Sequence, residues 1–519
     1  MKNLPLIDIA VIIIYLLAMV LVGIWFSRKN KSAEQFTKAS GMIPGWAVGI
    51  SLYATFLSSN TFLGVPGKAF GDNWNAFVFS LSMPLAGWVA VKYFVPFYRS
   101  AGGISAYTHL EHRFGSWART YAMTCFLLTQ LARMGSIFFG IALSLQALTG
   151  YDMVTIMIVT GVCIVVYTVM GGIEAVIWTE VVQGVIQTFG GLLIMYLLFV
   201  SVDGGVGSII DIGLKDDKFS LGDLGFDFVG SSFWVILLYG FFINLNNFGM
   251  DQNYVQRYHT AQSAKEAAKS VWLCVKLYIP ISLIFFVIGS GLYAYYYQNP
   301  ALTETIRLQT AAERLPLGAA QQEIAALAAT LSPEDFGDKV MPHFMVTMIP
   351  TGLAGLVISA ILAAAMSTIS SGMNASATVF TEDIYKRYFK RDATNKQALR
   401  MLFLATGVFG MLGIVTGISM IGVQSILDLW WELSGIFAGG MLGLFLLGLI
   451  SKKANNSDAV IAVIAGVLTI LWMTFSYLIP DQYSYLRYPL HANMIIVVGT
   501  LMISLVGSGL ARIRSSSAS

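Results

Sequence analysis

Residues 51–67 read Ser-Leu-Tyr-Ala-Thr-Phe-Leu-Ser-Ser-Asn-Thr-Phe-Leu-Gly-Val-Pro-Gly, and this stretch decides how the fold is interpreted. It begins as an apolar segment, but hydroxyl and amide side chains gather at its middle, and Gly64, Pro66 and Gly67 follow closely. Inside a bilayer such an interruption is tolerated only where it lines a cavity. The stretch therefore predicts a discontinuous membrane helix whose free carbonyl oxygens can bind a cation. The alternative is tight helix packing through small residues.

The composition places this stretch in a membrane protein. Of 519 residues, 56% are hydrophobic and 11% are charged, whereas soluble domains carry roughly 25% charged residues. A soluble multidomain enzyme is excluded, because a chain this apolar could not cover itself with a solvated surface. The three cysteines lie within apolar runs, so a disulfide framework is not expected.

A bilayer core about 30 Å thick needs roughly 20 apolar residues per helix, and about thirteen such runs are present. They lie near 5–27, 42–68, 74–97, 121–149, 153–172, 175–201, 231–249, 270–297, 347–373, 399–420, 423–450, 457–479 and 489–511. We expect one transmembrane domain over 1–519, all-α, with short amphipathic helices in an extracellular loop at 300–345.

Basic residues set the predicted orientation. With the N-terminus outside and the C-terminus inside, about twenty Lys and Arg residues fall in inner loops and about seven in outer loops. Arg28, Lys29 and Lys31 form part of this inner set. Topology alone explains these charges, and a net charge of +3 gives no reason to expect a nucleic-acid partner.

Motifs of other chemistries are missing from the sequence. We find no G-x-x-x-x-G-K-[ST] phosphate loop, no H-E-x-x-H zinc pattern and no G-x-S-x-G nucleophile turn. The sequence therefore gives no indication of an ATP-driven pump or of a membrane hydrolase. We expect no enzyme, and energy for any transport would come from an ion gradient.

The ninth apolar run carries Ser367-Thr368-Ile369-Ser370-Ser371. Positions 367, 370 and 371 share one helical face. Three hydroxyls in one stripe offer hard, neutral oxygen ligands, which suit a monovalent cation that must later be released. Ser and Thr also hold membrane helices together, which is the alternative.

Three ionisable residues, Arg133, Glu180 and Lys276, lie within apolar runs, where they indicate a functional site by default. Arg133 is in the middle of the fourth run and Glu180 is in the sixth. A buried guanidinium needs an anionic partner, which is either a ligand carboxylate or an internal residue such as Glu432 or Glu180.

Several ordered motifs resemble the sodium/solute symporters of the SGLT-like family. They are Gly171–Gln183 (GGIEAVIWTEVVQ), Asp251–Arg257 (DQNYVQR) and Ala363–Ser371 (AAAMSTISS). Among its members, the chain is most similar to bacterial sodium-coupled sialic acid symporters, including the G-W-A-x-G-x-S pattern at Gly45–Ser51.

The resemblance implies a LeuT-like core of two inverted five-helix repeats. These would span 42–201 and 231–450, with an extra helix at 5–27 and two more at 457–511. It also implies sodium-coupled import of an acidic sugar, most simply sialic acid (N-acetylneuraminate), by alternating access, in a bacterial inner membrane, by a monomer in the lipid bilayer. A neutral sugar such as glucose or galactose is the alternative substrate.

The resemblance further implies a sodium site. Its ligands would be the carbonyls of Ala54 and Leu57, a carbonyl near Ser367, and the hydroxyls of Ser370 and Ser371. A second ion would use Glu180, although the related symporters have aspartate at that position. One or two sodium ions are therefore expected.

For the substrate, the resemblance implies that Ser58, Thr61 and Arg133 hold the carboxylate and that Asn244 contacts sugar hydroxyls. Asn60 belongs to the same predicted pocket. Phe56 and Ser80 depart from the threonine and glutamine of the sialic acid carriers, so the end of the pocket away from the carboxylate is expected to differ.

Overall fold

The computed structural model describes residues 5–27, 32–316, 318–423 and 425–517, and within them the chain is helical almost throughout. The predicted orientation rests in part on basic residues that lie outside the described residues, namely Arg28, Lys29 and Lys31. The helices that matter for the site are as follows. The first half contains α1 (Leu6–Ser27), α2 (Gly45–Phe56), α3 (Ser59–Gly71), α4 (Trp74–Ala101), α5 (Ser116–Thr149), α6 (Met153–Val169) and α7 (Gly171–Ser201).

The second half begins with another divided pair. It contains α8 (Phe233–Gly249), α9 (Gln252–Thr260), α10 (Ala264–Gln298), α11 (Gly337–Met348), α12 (Ala354–Phe389), α13 (Asn395–Ser419), α14 (Ile426–Ile450), α15 (Asn456–Leu478) and α16 (Met494–Ser516). Between α10 and α11, short helices cover Pro300–Arg314 and Gln321–Thr330, in the loop where such helices are expected.

The predicted interruption lies between α2 and α3, which are bent by 53° with respect to each other. Leu57 and Ser58 between them are extended. In an unbroken helix the Ser58 N–H would donate to the carbonyl of Ala54, but here it donates to Thr61 Oγ1 at 3.3 Å. The break therefore leaves carbonyl oxygens of α2 available to groups from other helices.

The corresponding break in the second half separates α8 from α9, which are bent by 46°. Asp251 is the N-cap residue of α9, and its Oδ1 accepts a hydrogen bond from the backbone N–H of Asn253 at 2.8 Å. This is N-capping by a carboxylate, which satisfies an N–H group that the helix itself cannot.

The Gly-Gly pair of the first quoted motif divides α6 from α7. Gly172 has φ 59° and ψ −171°, a conformation that a residue with a Cβ rarely adopts. The glycine thus ends one membrane helix and starts the next without a loop, and it sets the direction in which α7 presents Glu180.

Among the described residues, ten helices are long and apolar enough to cross a membrane, and counting each broken pair as one span gives twelve. The expectation of an all-helical membrane fold is confirmed. α6 is apolar but shorter, so the predicted thirteenth span depends on it. The serine-rich segment of α12 is fully buried, because this helix packs against α7 and both halves of the first broken helix.

Candidate functional site

Two hydroxyls of α12 meet the break between α2 and α3. Ser367 Oγ donates to the carbonyl of Ala54 at 3.0 Å, and Thr368 Oγ1 lies 3.1 Å from the carbonyl of Leu57 and 3.2 Å from that of Thr55. Both hydroxyls also lie within hydrogen-bond distance of the Ala364 carbonyl, at 3.0 Å and 3.3 Å. The result is a buried cluster of neutral oxygens, which we call the break cluster: the carbonyls of Ala54, Leu57 and Ala364 and the hydroxyls of Ser367 and Thr368.

The break cluster has the chemistry that a small monovalent cation requires. Its oxygens are hard and uncharged, and hydroxyl groups can rotate to turn their lone pairs toward an ion. The carbonyl oxygens of Ala54 and Leu57 are available because the first broken helix is interrupted beside them. The residues present therefore fit a sodium ion at the break.

Ser370 and Ser371, which were predicted as ligands, lie one turn further along α12. Ser370 Oγ donates to the carbonyl of Ser367 at 3.2 Å, and Ser371 Oγ donates to the carboxylate of Glu180. Of the three predicted serines, the structure brings only Ser367 to the break, and through its hydroxyl rather than its carbonyl. Sequence reasoning missed Thr368 and Ala364, although both stand inside the quoted motif.

Glu180 forms a fully buried ion pair with Arg257. Arg257 Nη2 lies 2.7 Å and 2.9 Å from the two carboxylate oxygens. Ser51 Oγ accepts from Arg257 Nε at 2.8 Å and donates to the carboxylate. With Ser371 donating as well, both oxygens of Glu180 are occupied by protein groups. One predicted alternative made Glu180 the partner of Arg133. The structure instead pairs Glu180 with Arg257.

The internal anion nearest to Arg133 is Asp251, which the sequence analysis did not single out. Arg133 Nη1 lies 3.6 Å from Asp251 Oδ2. Arg133 Nη2 donates to the Thr55 carbonyl at 3.2 Å and to the Tyr254 hydroxyl at 3.3 Å. The guanidinium therefore touches groups from both broken helices. Glu432, the other suggested partner, is not the residue that pairs with it.

A cavity of about 770 Å³, measured out to open solvent, lies beside the break and is lined by Arg133. Predicted substrate residues line it: Phe56, Ser58, Asn60, Thr61, Ser80 and Arg133. Its other walls are largely aromatic and come from both halves of the chain: Phe79, Tyr239, Tyr278, Phe286, Trp430 and Trp431.

Two details of the cavity differ from expectation. Asn244 is fully buried and does not line it, because its Nδ2 faces α4 and donates to Ser82 Oγ at 3.2 Å. Asn247, one turn further along α8, lines the cavity instead. Ser80 is present as expected and shares a 2.7 Å hydrogen bond with Ser282 of α10.

The ring of Phe56 lines the cavity and packs in an aromatic cluster. It lies 4.8 Å from the ring of Tyr254 and 5.3 Å from that of Tyr278, measured between centroids. A phenyl group therefore stands where the sialic acid carriers were expected to have threonine, and it packs against Tyr254, whose hydroxyl accepts from Arg133.

Comparison with known proteins agrees with this geometry. The model of the sodium:solute symporter family matches residues 36–466. The sodium/sialic acid symporter NanT of Aliivibrio fischeri is 34% identical over 95% of this chain and 90% of its own length. The sodium/sialic acid symporter SiaT of Proteus mirabilis is 35% identical over 90% of this chain and 89% of its own.

A solved structure of a Na⁺-coupled sialic acid symporter, in a substrate-bound outward-open state with a novel Na⁺ site, has a TM-score of 0.83 to this chain. The two are 33% identical, and the match covers 98% of both chains. The LeuT-like fold class is confirmed, as are transport rather than enzymatic activity, sodium as the coupling ion, and a multi-pass location in a bacterial inner membrane. The chain belongs to the sodium:solute symporter family.

Proposed function

We propose that this protein imports sialic acid together with sodium by alternating access. The observation that carries the proposal is the position of Arg133, which lines the cavity and donates to the Thr55 carbonyl at the same break that meets Ser367 and Thr368. A guanidinium recognises a carboxylate through its planar set of N–H groups. Two relatives that are 34% and 35% identical to this chain over about 90% of their own length are named as sodium/sialic acid symporters. This similarity favours sialic acid over glucose or galactose as the substrate.

The sodium ion would bind in the break cluster. Its five oxygens are the carbonyls of Ala54, Leu57 and Ala364 and the hydroxyls of Ser367 and Thr368. An ion there joins α12 to the broken helix, and Ser58 and Thr61 of that helix line the cavity. Sodium thereby orders the groups that receive the substrate, and its loss to a cytoplasm low in sodium loosens them.

We propose that one sodium ion is coupled to each substrate. The carboxylate of Glu180, the group suggested for a second ion, is already neutralised by Arg257 and receives hydrogen bonds from Ser51 and Ser371. A second cation at Glu180 would therefore have to displace a buried, hydrogen-bonded guanidinium, which is energetically costly.

The topology of the proposal has thirteen spans, counting α6, with the N-terminus outside and the C-terminus inside. The positive-inside distribution of Lys and Arg supports this orientation. The two five-helix repeats would begin with the broken helices α2–α3 and α8–α9, which occupy corresponding positions in the two halves. A monomer suffices, because one chain supplies all the groups of the site.

The test is uptake of labelled sialic acid into proteoliposomes that contain the purified protein. We expect accumulation with an inward sodium gradient and none when choline replaces sodium. Unlabelled sialic acid should compete, whereas glucose and galactose should not. Uptake that persists undiminished in choline would overturn sodium coupling, and full competition by glucose or galactose would overturn the choice of substrate.

A further inference from the structure

Arg133 joins the two broken helices from a position on α5. One of its N–H groups reaches the Thr55 carbonyl at the end of α2, and the other end of the guanidinium faces Asp251 at the start of α9. Thr368 of α12 donates to the same Thr55 carbonyl at 3.2 Å. A change in the pairing of Arg133 is therefore felt at both breaks.

Asp251 is buried and is held in place independently of Arg133. Its Oδ1 accepts from the backbone N–H and the side-chain amide of Asn253 at 2.8 Å and 2.7 Å, and its Oδ2 accepts from Gln130 Nε2 at 3.2 Å. Asp251 does not line the cavity, whereas Arg133 does. The carboxylate thus stands behind the guanidinium, on the side away from an incoming substrate.

The pair is close but incomplete. At 3.6 Å, Arg133 Nη1 and Asp251 Oδ2 attract each other without a hydrogen bond, unlike Arg257 and Glu180 at 2.7 Å. A carboxylate arriving from the cavity can therefore form hydrogen bonds with Arg133 that Asp251 does not. Two carboxylates beside one guanidinium repel each other, so each one weakens the interaction of the other with Arg133.

We propose that Asp251 is the counter-ion of Arg133 in the empty carrier. When the substrate binds, its carboxylate replaces Asp251 as the anionic partner of the guanidinium. The inference rests on the proposed function and adds a positioning residue to it. Asp251 keeps the charge of Arg133 compensated in the empty carrier and limits how tightly an acid binds. It also favours release, because Asp251 recovers the guanidinium when the acid leaves. Acid binding therefore weakens one link between α5 and the start of α9, while Gln130 of α5 continues to donate to Asp251.

The test compares sialic acid with its methyl ester, which has the same shape but no charge. Asp251→Asn and Asp251→Ser both remove the charge and retain a side chain that caps α9. In calorimetric titration of purified protein in sodium, we expect each variant to bind the acid about tenfold more tightly than the unaltered protein. Binding of the ester should change little. In proteoliposomes both KM and the maximal rate should fall, because release becomes slow.

Asp383→Asn is the matched control. Asp383 is a buried aspartate in an ion pair with Arg119, whose Nε lies 2.8 Å from its Oδ1, and it does not line the cavity. The Asp383→Asn variant should have the same ratio of affinities for sialic acid and its methyl ester as the unaltered protein. If the unaltered protein binds the acid but neither Asp251 variant binds it more tightly, Asp251 is a helix cap only and the inference is overturned. If the unaltered protein binds no acid, the proposed function fails, and the inference fails with it.

Discussion

At the scale of single residues, the site depends on which side chains of α12 face the break. Ser367, Ser370 and Ser371 share one helical stripe, yet only Ser367 reaches a carbonyl of the broken helix. Thr368 lies on a neighbouring stripe and reaches two. The stripe predicts that hydroxyls converge, but the rotation of α12 about its own axis decides which of them meet the break.

This difference is tested by a pair of substitutions. Thr368→Val replaces a hydroxyl of the break cluster with a methyl group of similar volume. Because one of five proposed ligands is lost, we expect the sodium concentration for half-maximal uptake to rise about tenfold, equivalent to about 1.4 kcal/mol of binding free energy. Ser370→Ala removes a hydroxyl that donates to the carbonyl of Ser367 and contacts no carbonyl of the break cluster, and should change this concentration less than twofold. The opposite ranking would restore the ligand set that the sequence predicts.

At the scale of elements, the half-helix α3 is held by the segments that precede α8 and α12. Lys218 Nζ donates to the carbonyls of Phe70 and Asp72 at the end of α3, at 2.9 Å and 2.7 Å. Gly67 packs against Gly337 at the start of α11 so closely that a Cβ on Gly67 would lie 2.8 Å from the Gly337 carbonyl carbon. These two segments thus restrain the half-helix that carries Thr61 and is capped by Ser58.

The start of α11 also joins α3 to α14. Asp338 Oδ2 accepts a hydrogen bond from the backbone N–H of Ile426 at 2.8 Å, at the start of α14. Lys68 of α3 forms an ion pair with Asp428 of α14 at 3.3 Å. Burial raises the pKa of Asp338 to about 6; the Ile426 N–H and Lys68 oppose the rise, and Asp428 adds to it.

The raised pKa predicts a pH-dependent stability. An acid whose pKa is higher in the folded than in the unfolded state stabilises the fold most when it is protonated, and this contribution is lost as pH rises through about 6. The melting temperature of the unaltered protein minus that of Asp338→Asn should therefore be larger at pH 5 than at pH 8. Thermal unfolding of purified protein at the two pH values measures it.

Asp335→Asn provides the comparison. Burial opposes ionisation of Asp335, but hydrogen bonds from Ser332 and the charge of Arg314 outweigh it, and the net effect lowers its pKa. A lowered pKa gives a contribution that is lost only in stronger acid, so the corresponding difference should be equal at pH 5 and pH 8. If Asp338→Asn behaves in the same way, the carboxyl of Asp338 is not perturbed.

At the scale of the whole molecule, the charge of the site sets the energy of transport. A tenfold sodium gradient supplies about 1.4 kcal/mol per ion, and a membrane potential of 100 mV supplies about 2.3 kcal/mol per charge moved. With the proposed stoichiometry of one sodium ion for each monovalent acid, no net charge crosses the membrane. Two ions would add the potential and raise the available energy to about 5 kcal/mol.

The corresponding prediction is electroneutral transport. Addition of sialic acid to proteoliposomes in sodium should give no current. The final accumulation should follow the sodium gradient and should not change when a potassium diffusion potential is imposed. A substrate-dependent inward current, or accumulation that rises with a negative internal potential, would show that a second sodium ion is carried.

The sequence by itself determined the all-helical membrane fold, the position of the break at 51–67 and the burial of charge at Arg133 and Glu180. These features follow from local rules, because bilayer thickness dictates the length of apolar runs and a helix breaker acts on its own helix. Which groups pair across the fold was decided only by the tertiary structure. Asp251 rather than Glu180 faces Arg133, and Thr368 rather than Ser371 faces Leu57. Such contacts join residues about a hundred to three hundred positions apart, and they depend on how packing rotates each helix, which no local pattern encodes.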